Sequence, residues 1–200
     1  MTDNLDGACE RDPLVWARES FERAARLESF DASRAALATA SAQAVPSVRF
    51  VLVKQIDDRG FVFFTNHESD KARELRDNPR AALAFHWAAL GEQLRVQGSV
   101  VRIDDSESDA YFASRPRGSQ LGAWASAQSR PITSRDELEA SLAEMTERFE
   151  SHTVPRPAHW GGYRLVPDSI EFWHDRRDRL HDRFRFTRSP DGWACVRLQP

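Results

Sequence analysis

The segment YFASRPRGSQLGAWASAQS, residues 111–129, gathers groups suited to binding an anion. Tyr111 and Arg115 are four residues apart, which puts a phenol and a guanidinium on one helix face, and Pro116 ends that helix. Gly118 permits a tight turn, and Ser119 is placed to cap the helix that follows. Hydroxyls, a guanidinium and the free N–H groups of a helix N-terminus together match a phosphate monoester. Spacing alone also allows an ordinary helix–turn–helix with a solvated arginine.

A second cationic feature is RDRLHDRFRF, residues 177–186. In an extended strand, Arg177, Arg179, His181, Arg183 and Arg185 share one side. From Arg176 to Arg188 there are six arginines against two aspartates, and these repel one another unless anions or carboxylates intervene. The histidine adds a group that exchanges protons near neutral pH. The bland counterpart is an edge strand guarded by charge, with Asp178 and Asp182 pairing some of the arginines.

The stretch SVRFVLVK, residues 47–54, carries Arg49 and Lys54 on opposite faces by strict alternation, so only a strand end or a bulge brings both to one site. Lys71 falls in the first turn of a helix expected to be capped by Ser69, where its charge opposes the macrodipole unless an anion is bound there. A lone lysine can also simply extend into water. Gln93, Gln128 and Ser129 carry little meaning individually.

The elements that must position these groups follow from periodicity and punctuation. Asp12-Pro13 opens a first helix that runs to about Leu27. Strands are expected at 35–40, 47–54, 61–65 and 81–87, with a DDRG hairpin at 57–60 and a helix at 69–78. A longer strand covers 92–103, with Gly98 a candidate bulge. Helices are expected at about 105–114, 120–127 and 134–150. The last has a capping box at Ser134 and Glu137 and an apolar stripe of Leu138, Leu142, Met145 and Phe149, read as core packing. Strands at about 162–173, 181–187 and 193–198 close the chain. Many short strands with hairpin-length links favour a mainly β fold, an antiparallel barrel with helices outside.

Two hundred residues with 40% hydrophobic content suit one domain, taken as 12–200 behind a disordered tail over 1–11. With 28 basic and 31 acidic residues the net charge is −3, which argues against a general nucleic-acid or membrane-surface binder. Cys9 and Cys195 stand in no recognisable spacing, so neither a disulfide nor a metal site is expected, and a reducing, cytoplasmic setting fits. The polar N-terminus shows no leader pattern, and no apolar run is long enough to span a bilayer.

Taken in order, SVRFVLVK, FVFFTN, SRPRGSQLGAWASAQS, HWGGYRL, IEFW and RLHDRFRF resemble the pyridoxine/pyridoxamine 5'-phosphate oxidases over about residues 12 to 200. That resemblance implies an FMN-binding split β-barrel, a homodimer with two flavins at the subunit interface, and no metal. It implies oxidation of either phosphorylated B6 vitamer to pyridoxal 5'-phosphate: hydride passes from the substrate C4' carbon to flavin N5, and O2 reoxidises the flavin to give H2O2. The amine substrate also releases ammonia. By the same resemblance Lys54, Tyr111, Arg115 and Ser119 bind the substrate phosphate, and Arg179 and His181 sit against the pyridine ring as the catalytic pair. Arg49, Phe50, Val51, Leu52, Val53, Lys54, Phe64, Thr65, Lys71, Gln93, Gln128, Ser129, Trp173 and Arg183 match flavin-contacting positions.

Three departures stand out. Asp70 and Glu92 occupy positions where the family commonly has arginine, and the N-terminal arm that covers the substrate in some members is short here. The paralogous alternatives are a flavin oxidase of another ring compound, as in phenazine pathways, and a non-catalytic FMN- or pyridoxal-phosphate-binding protein.

Overall fold

A computed structural model describes residue 5 and residues 7–200. Helix α1 (Pro13–Leu27) begins as its sequence dictates: Asp12 Oδ1 accepts from the N–H groups of Leu14 at 2.8 Å and Val15 at 2.9 Å. Its buried face carries Trp16, Ala17 and Ala24. Trp16 lies flat on Phe172 with ring centroids 3.9 Å apart, fixing the helix against the sheet.

Eight strands follow: β1 (Arg34–Ala40), β2 (Pro46–Asp57), β3 (Gly60–Asn66), β4 (Arg80–Trp87), β5 (Glu92–Arg102), β6 (Trp160–His174), β7 (Asp182–Ser189) and β8 (Gly192–Leu198). They pair antiparallel in the order β3-β2-β1-β4-β5-β6-β7-β8, and a further β3–β6 pairing closes the first six into a barrel. Strands β7 and β8 continue the sheet outward from β6. Helices α2 (Asp70–Asp77), α3 (Asp105–Ser114), α4 (Arg117–Ala125) and α5 (Arg135–Arg148) lie between strands. The split barrel expected from the sequence is therefore the observed fold.

Alternation fills the barrel with Leu37, Val53, Phe61, Phe63, Phe85, Leu94 and Leu165, all fully buried. A smaller apolar cluster of Phe112, Leu121, Phe149, Val154 and Trp160 anchors α3 and α4. Two register breaks shape the wall. Opposite Gly98, β6 inserts one extra residue, Asp168, and a side chain at Gly98 would strike the Val166 carbonyl. In β2 the extra residue is Lys54, since Val53 pairs with Phe63 and Gln55 with Val62. At the β2–β3 turn, Gly60 has φ +132°, and Asp57 Oδ1 accepts from Arg59 and Gly60 N–H.

The structure departs from expectation in several places. Cys9 and Cys195 form a disulfide, with Cα atoms 5.3 Å apart across 186 residues of chain. Sequence spacing could not show it, because what brings them together is the docking of a 3-10 helix, Ala8–Glu10, beside β7 and β8. That helix lies in the stretch expected to be a disordered tail; residues 1–4 and 6 lie outside the described residues. The arginine row is broken: Arg177–Arg179 form a 3-10 turn with Asp178 and Arg179 at positive φ, and β7 starts only at Asp182. Five side chains therefore do not share one side.

Helix α4 begins at Arg117 with Pro116 at the cap position, so Ser119 lies in its first turn rather than capping it. Ser69 occupies the cap position of α2, but its hydroxyl donates to the Asn66 carbonyl instead. In α5 the Ser134 cap forms, yet the stripe is core only at its end: Phe149 is buried while Leu142 is exposed. Among the described residues no helix is long and apolar enough to cross a membrane.

Candidate active site

A cleft of about 1040 Å3 opens where the outer part of β2 and the end of β3 meet α2, α3 and α4. On its α2 side stand Arg49, Thr65, Asp70, Lys71, Gln128 and Ser129; around the α3–α4 junction stand Lys54, Tyr111, Arg115 and Ser119. Phe50, Val51, Leu52, Phe64 and Trp160 supply apolar wall. Arg49 and Lys54 keep opposite parity, because the bulge begins only after Val53, yet both line the cleft, which also takes Phe50, Val51 and Leu52 and so draws on both faces of the strand. Val53 does not, because its side chain belongs to the barrel core.

Lys71 is buried, not solvated. Its Nζ donates to Gln128 Oε1 at 3.2 Å, Thr65 Oγ1 at 3.3 Å and Ser69 Oγ at 3.4 Å, all neutral acceptors. Burial and the Arg49 charge lower its pKa, while Asp70 and Glu74 partly oppose them. Arg49 is held by three groups: it donates to Thr39 Oγ1, to the Leu37 carbonyl at 3.4 Å and to Glu74 Oε2 at 3.1 Å. Burial would raise the Glu74 pKa, but hydrogen bonds from Ser47, Thr39 and Arg49 outweigh it and hold the carboxyl below its usual range. Sequence reading missed Glu74, although its place one turn after Lys71 on the same helix was a signal.

At the other side Tyr111 stacks on Phe64 with centroids 4.0 Å apart, and the Arg115 guanidinium lies 4.6 Å from the Trp160 ring centroid. Trp160 was likewise missed as a site residue, although it lies within the HWGGYRL motif. Burial lowers the Arg115 pKa and raises that of Tyr111. Arg115 Nη1 is buried with no hydrogen-bond partner, a cost of about 1–3 kcal/mol that an anionic ligand would remove. Lys54 Nζ sits 3.5 Å from Ser33 Oγ and 4.0 Å from Asp31 Oδ2.

The remaining candidates form a second group, away from this cleft. Gln93, Trp173 and Arg183 are register partners across β5, β6 and β7, and the His181 ring lies 4.4 Å from that of Trp173. His181 Nδ1 lies 3.2 Å from both the Arg176 backbone nitrogen and Asp175 Oδ1, which fixes the ring's position at the start of β7. Arg179 is exposed on the 3-10 turn. Within the chain the sequence-derived candidates thus fall into two separate groups.

Buried Glu171 explains the cationic surplus of β7. Its Oε1 accepts from Arg183 at 2.7 Å and Arg95 at 3.4 Å, and its Oε2 from Arg185 at 3.2 Å. Burial would raise its pKa, yet the bonds from Arg183 and Arg185 and the charges of Arg183 and Arg95 bring it below 4.5. Its stabilising contribution is complete above the ordinary glutamate pKa and disappears as pH falls through the lower folded value. Glu171→Gln should cost about 2–4 kcal/mol at pH 7. The gap to the native protein should close below pH 4.5, read by denaturant unfolding across that range. Glu92 is also structural: its buried carboxylate pairs with Arg23 of α1 and lies 3.7 Å from His174 Nδ1.

A closed split barrel whose rim gathers arginine, buried lysine and hydroxyls around an aromatic wall defines a split-barrel protein with a cationic cleft. Comparison narrows the class. The pyridoxamine 5'-phosphate oxidase family model matches residues 22–149, and that of the pyridoxine 5'-phosphate oxidase C-terminal dimerisation region matches residues 160–200. A pyridoxine/pyridoxamine 5'-phosphate oxidase of Anaeromyxobacter dehalogenans is 55% identical over 94% of this chain and 96% of its own length. That of Rubrobacter xylanophilus is 53% identical over 98% and 89%. The solved structure of PhzG from Burkholderia lata 383, in complex with tetrahydrophenazine-1-carboxylic acid, has a TM-score of 0.88 at 34% identity, covering 94% of this chain and 93% of that one. The chain belongs to the pyridoxine/pyridoxamine 5'-phosphate oxidase family, is an oxidoreductase, and carries that family's dimerisation region.

Proposed function

We propose that the protein oxidises pyridoxine 5'-phosphate and pyridoxamine 5'-phosphate to pyridoxal 5'-phosphate, with FMN as cofactor and O2 as electron acceptor. The observation that carries this reading is the pairing of two cationic groups in one aromatic cleft, one for each of two phosphorylated ligands. The residues fit the cofactor: buried Lys71, with only neutral acceptors around it, joins Arg49, Gln128, Ser129 and Thr65 as donors toward a flavin phosphate. When bound, FMN supplies the hydride acceptor and the route to O2, giving H2O2.

The chain's own residues bind and orient. Arg115, with its unpartnered Nη1, and Lys54, Tyr111 and Ser119 hold the substrate phosphate. The rings of Phe64, Tyr111 and Trp160 exclude water beside it. Arg179 and His181 sit against the substrate's pyridine ring and orient its reacting carbon. Since these two stand apart from the cleft of their own protomer, the reading has them, with Gln93, Trp173 and Arg183, complete the cleft of the partner subunit in a homodimer. Phe50, 77% exposed at the cleft edge, is suited to burial there.

Oxygen uptake with each phosphorylated vitamer, with and without added FMN, tests the proposal. Oxygen consumption with equimolar pyridoxal 5'-phosphate is expected from both. A flavin-loaded protein inert to both vitamers but active on a reduced phenazine carboxylate would overturn it in favour of the activity suggested by the PhzG likeness.

A further inference from the structure

We propose that Asp70 limits the protein's hold on the phosphate end of its flavin, with Arg73 as the counter-ion that sets how strongly it does so. The inference rests on the FMN reading above. Among the described residues that line the cleft, Asp70 is the one acid, set among Arg49, Lys54, Lys71 and Arg115. Its backbone N–H donates to Ser129 Oγ at 3.3 Å, which places it beside the donors of the α2 side. Its carboxylate is 56% exposed and pairs with Arg73, whose Nη1 also donates to the Glu68 carbonyl at 2.8 Å.

Much of the positive charge on this side is already offset. Arg49 is matched by Glu74, and Asp70 pairs with Arg73 and opposes the Lys71 charge. A phosphate arriving there meets several hydrogen-bond donors and less positive potential than Arg49, Lys71 and Arg73 would supply without these acids. Around the α3–α4 junction, by contrast, Arg115 has a bare nitrogen. The cofactor's phosphate is therefore held with less charge than these cations could supply, and Asp70 is the acid in the cleft responsible for the deficit. Asp70 suits the first turn of α2, where a negative charge stabilises the helix, so this position favours the helix at the expense of the ligand.

Equilibrium dialysis of the full chain against FMN and against riboflavin separates a phosphate-specific effect from a general one. Asp70→Asn should tighten FMN binding by about five- to tenfold at low salt, with the gain shrinking at high salt, because the carboxylate is exposed and screened. Arg73→Gln, which leaves Asp70 without its counter-ion, should weaken FMN binding by a similar factor. The double variant should return close to the native value, and riboflavin binding should not move in any of them, each variant melting within a few degrees of the native protein because the lost helix-end charge costs little stability. Equal FMN binding by native and Asp70→Asn proteins overturns the inference, as does an equal change for riboflavin. Failure of all four proteins to bind FMN overturns the flavin reading itself.

Discussion

Arg115→Ala should lower kcat/KM for pyridoxine 5'-phosphate by at least about 100-fold, while the melting temperature changes by only a few degrees. A guanidinium that donates two charge-assisted hydrogen bonds to a phosphate contributes about 1.5–3 kcal/mol through each, and those are lost together. Folding loses little, because Arg115 makes ring contacts to Phe112 and Trp160 but leaves one nitrogen buried and unsatisfied. Unphosphorylated pyridoxine, a poor substrate for both proteins, should be turned over about equally by each. FMN binding should also be retained, since the α2 donors are untouched. A loss below threefold, or an equal loss with unphosphorylated pyridoxine, would remove Arg115 from its assigned role.

The largest effect on stability is expected from the covalent link. Breaking the Cys9–Cys195 disulfide opens a loop of 186 residues and should cost about 3–5 kcal/mol, or roughly 10 °C in melting temperature for a chain of this size. The native protein in reductant and Cys9→Ser without it should melt together, well below the oxidised native protein. Reductant should have no further effect on Cys9→Ser. If it lowers that variant's melting temperature as much as the native one's, the link is not the source of the stability.

How far the chain could be read in advance depended on the range of the interaction. Asp12-Pro13, the DDRG turn and Gly98 act through neighbours, and each produced the helix start, hairpin and bulge expected of it. Pairings between distant segments were invisible. Glu171 pairs with arginines of β5 and β7, and Glu92 reaches Arg23 on α1, so much of the arginine surplus, and the acid that looked misplaced, have partners within the fold. Lys71 could be read as solvated until β3 and Gln128 were seen to enclose it. The RDRLHDRFRF row failed for a local reason: positive φ at Asp178 and Arg179 ends the alternation before β7 begins. Motif order supplied the candidate residues, whereas their division into two spatial groups required coordinates.

Barrel closure by β3 and β6 leaves β8 as the one described strand with a neighbour on a single side. Such an edge presents unpaired backbone groups and is a template for adding strands from other molecules. Here it carries Arg197, which pairs with Asp182, and Cys195, tied to the N-terminal segment. The disulfide therefore secures the strand whose peeling would open the sheet to self-association. In reductant, loss of protein from solution should rise with concentration, starting from β8 rather than from the barrel.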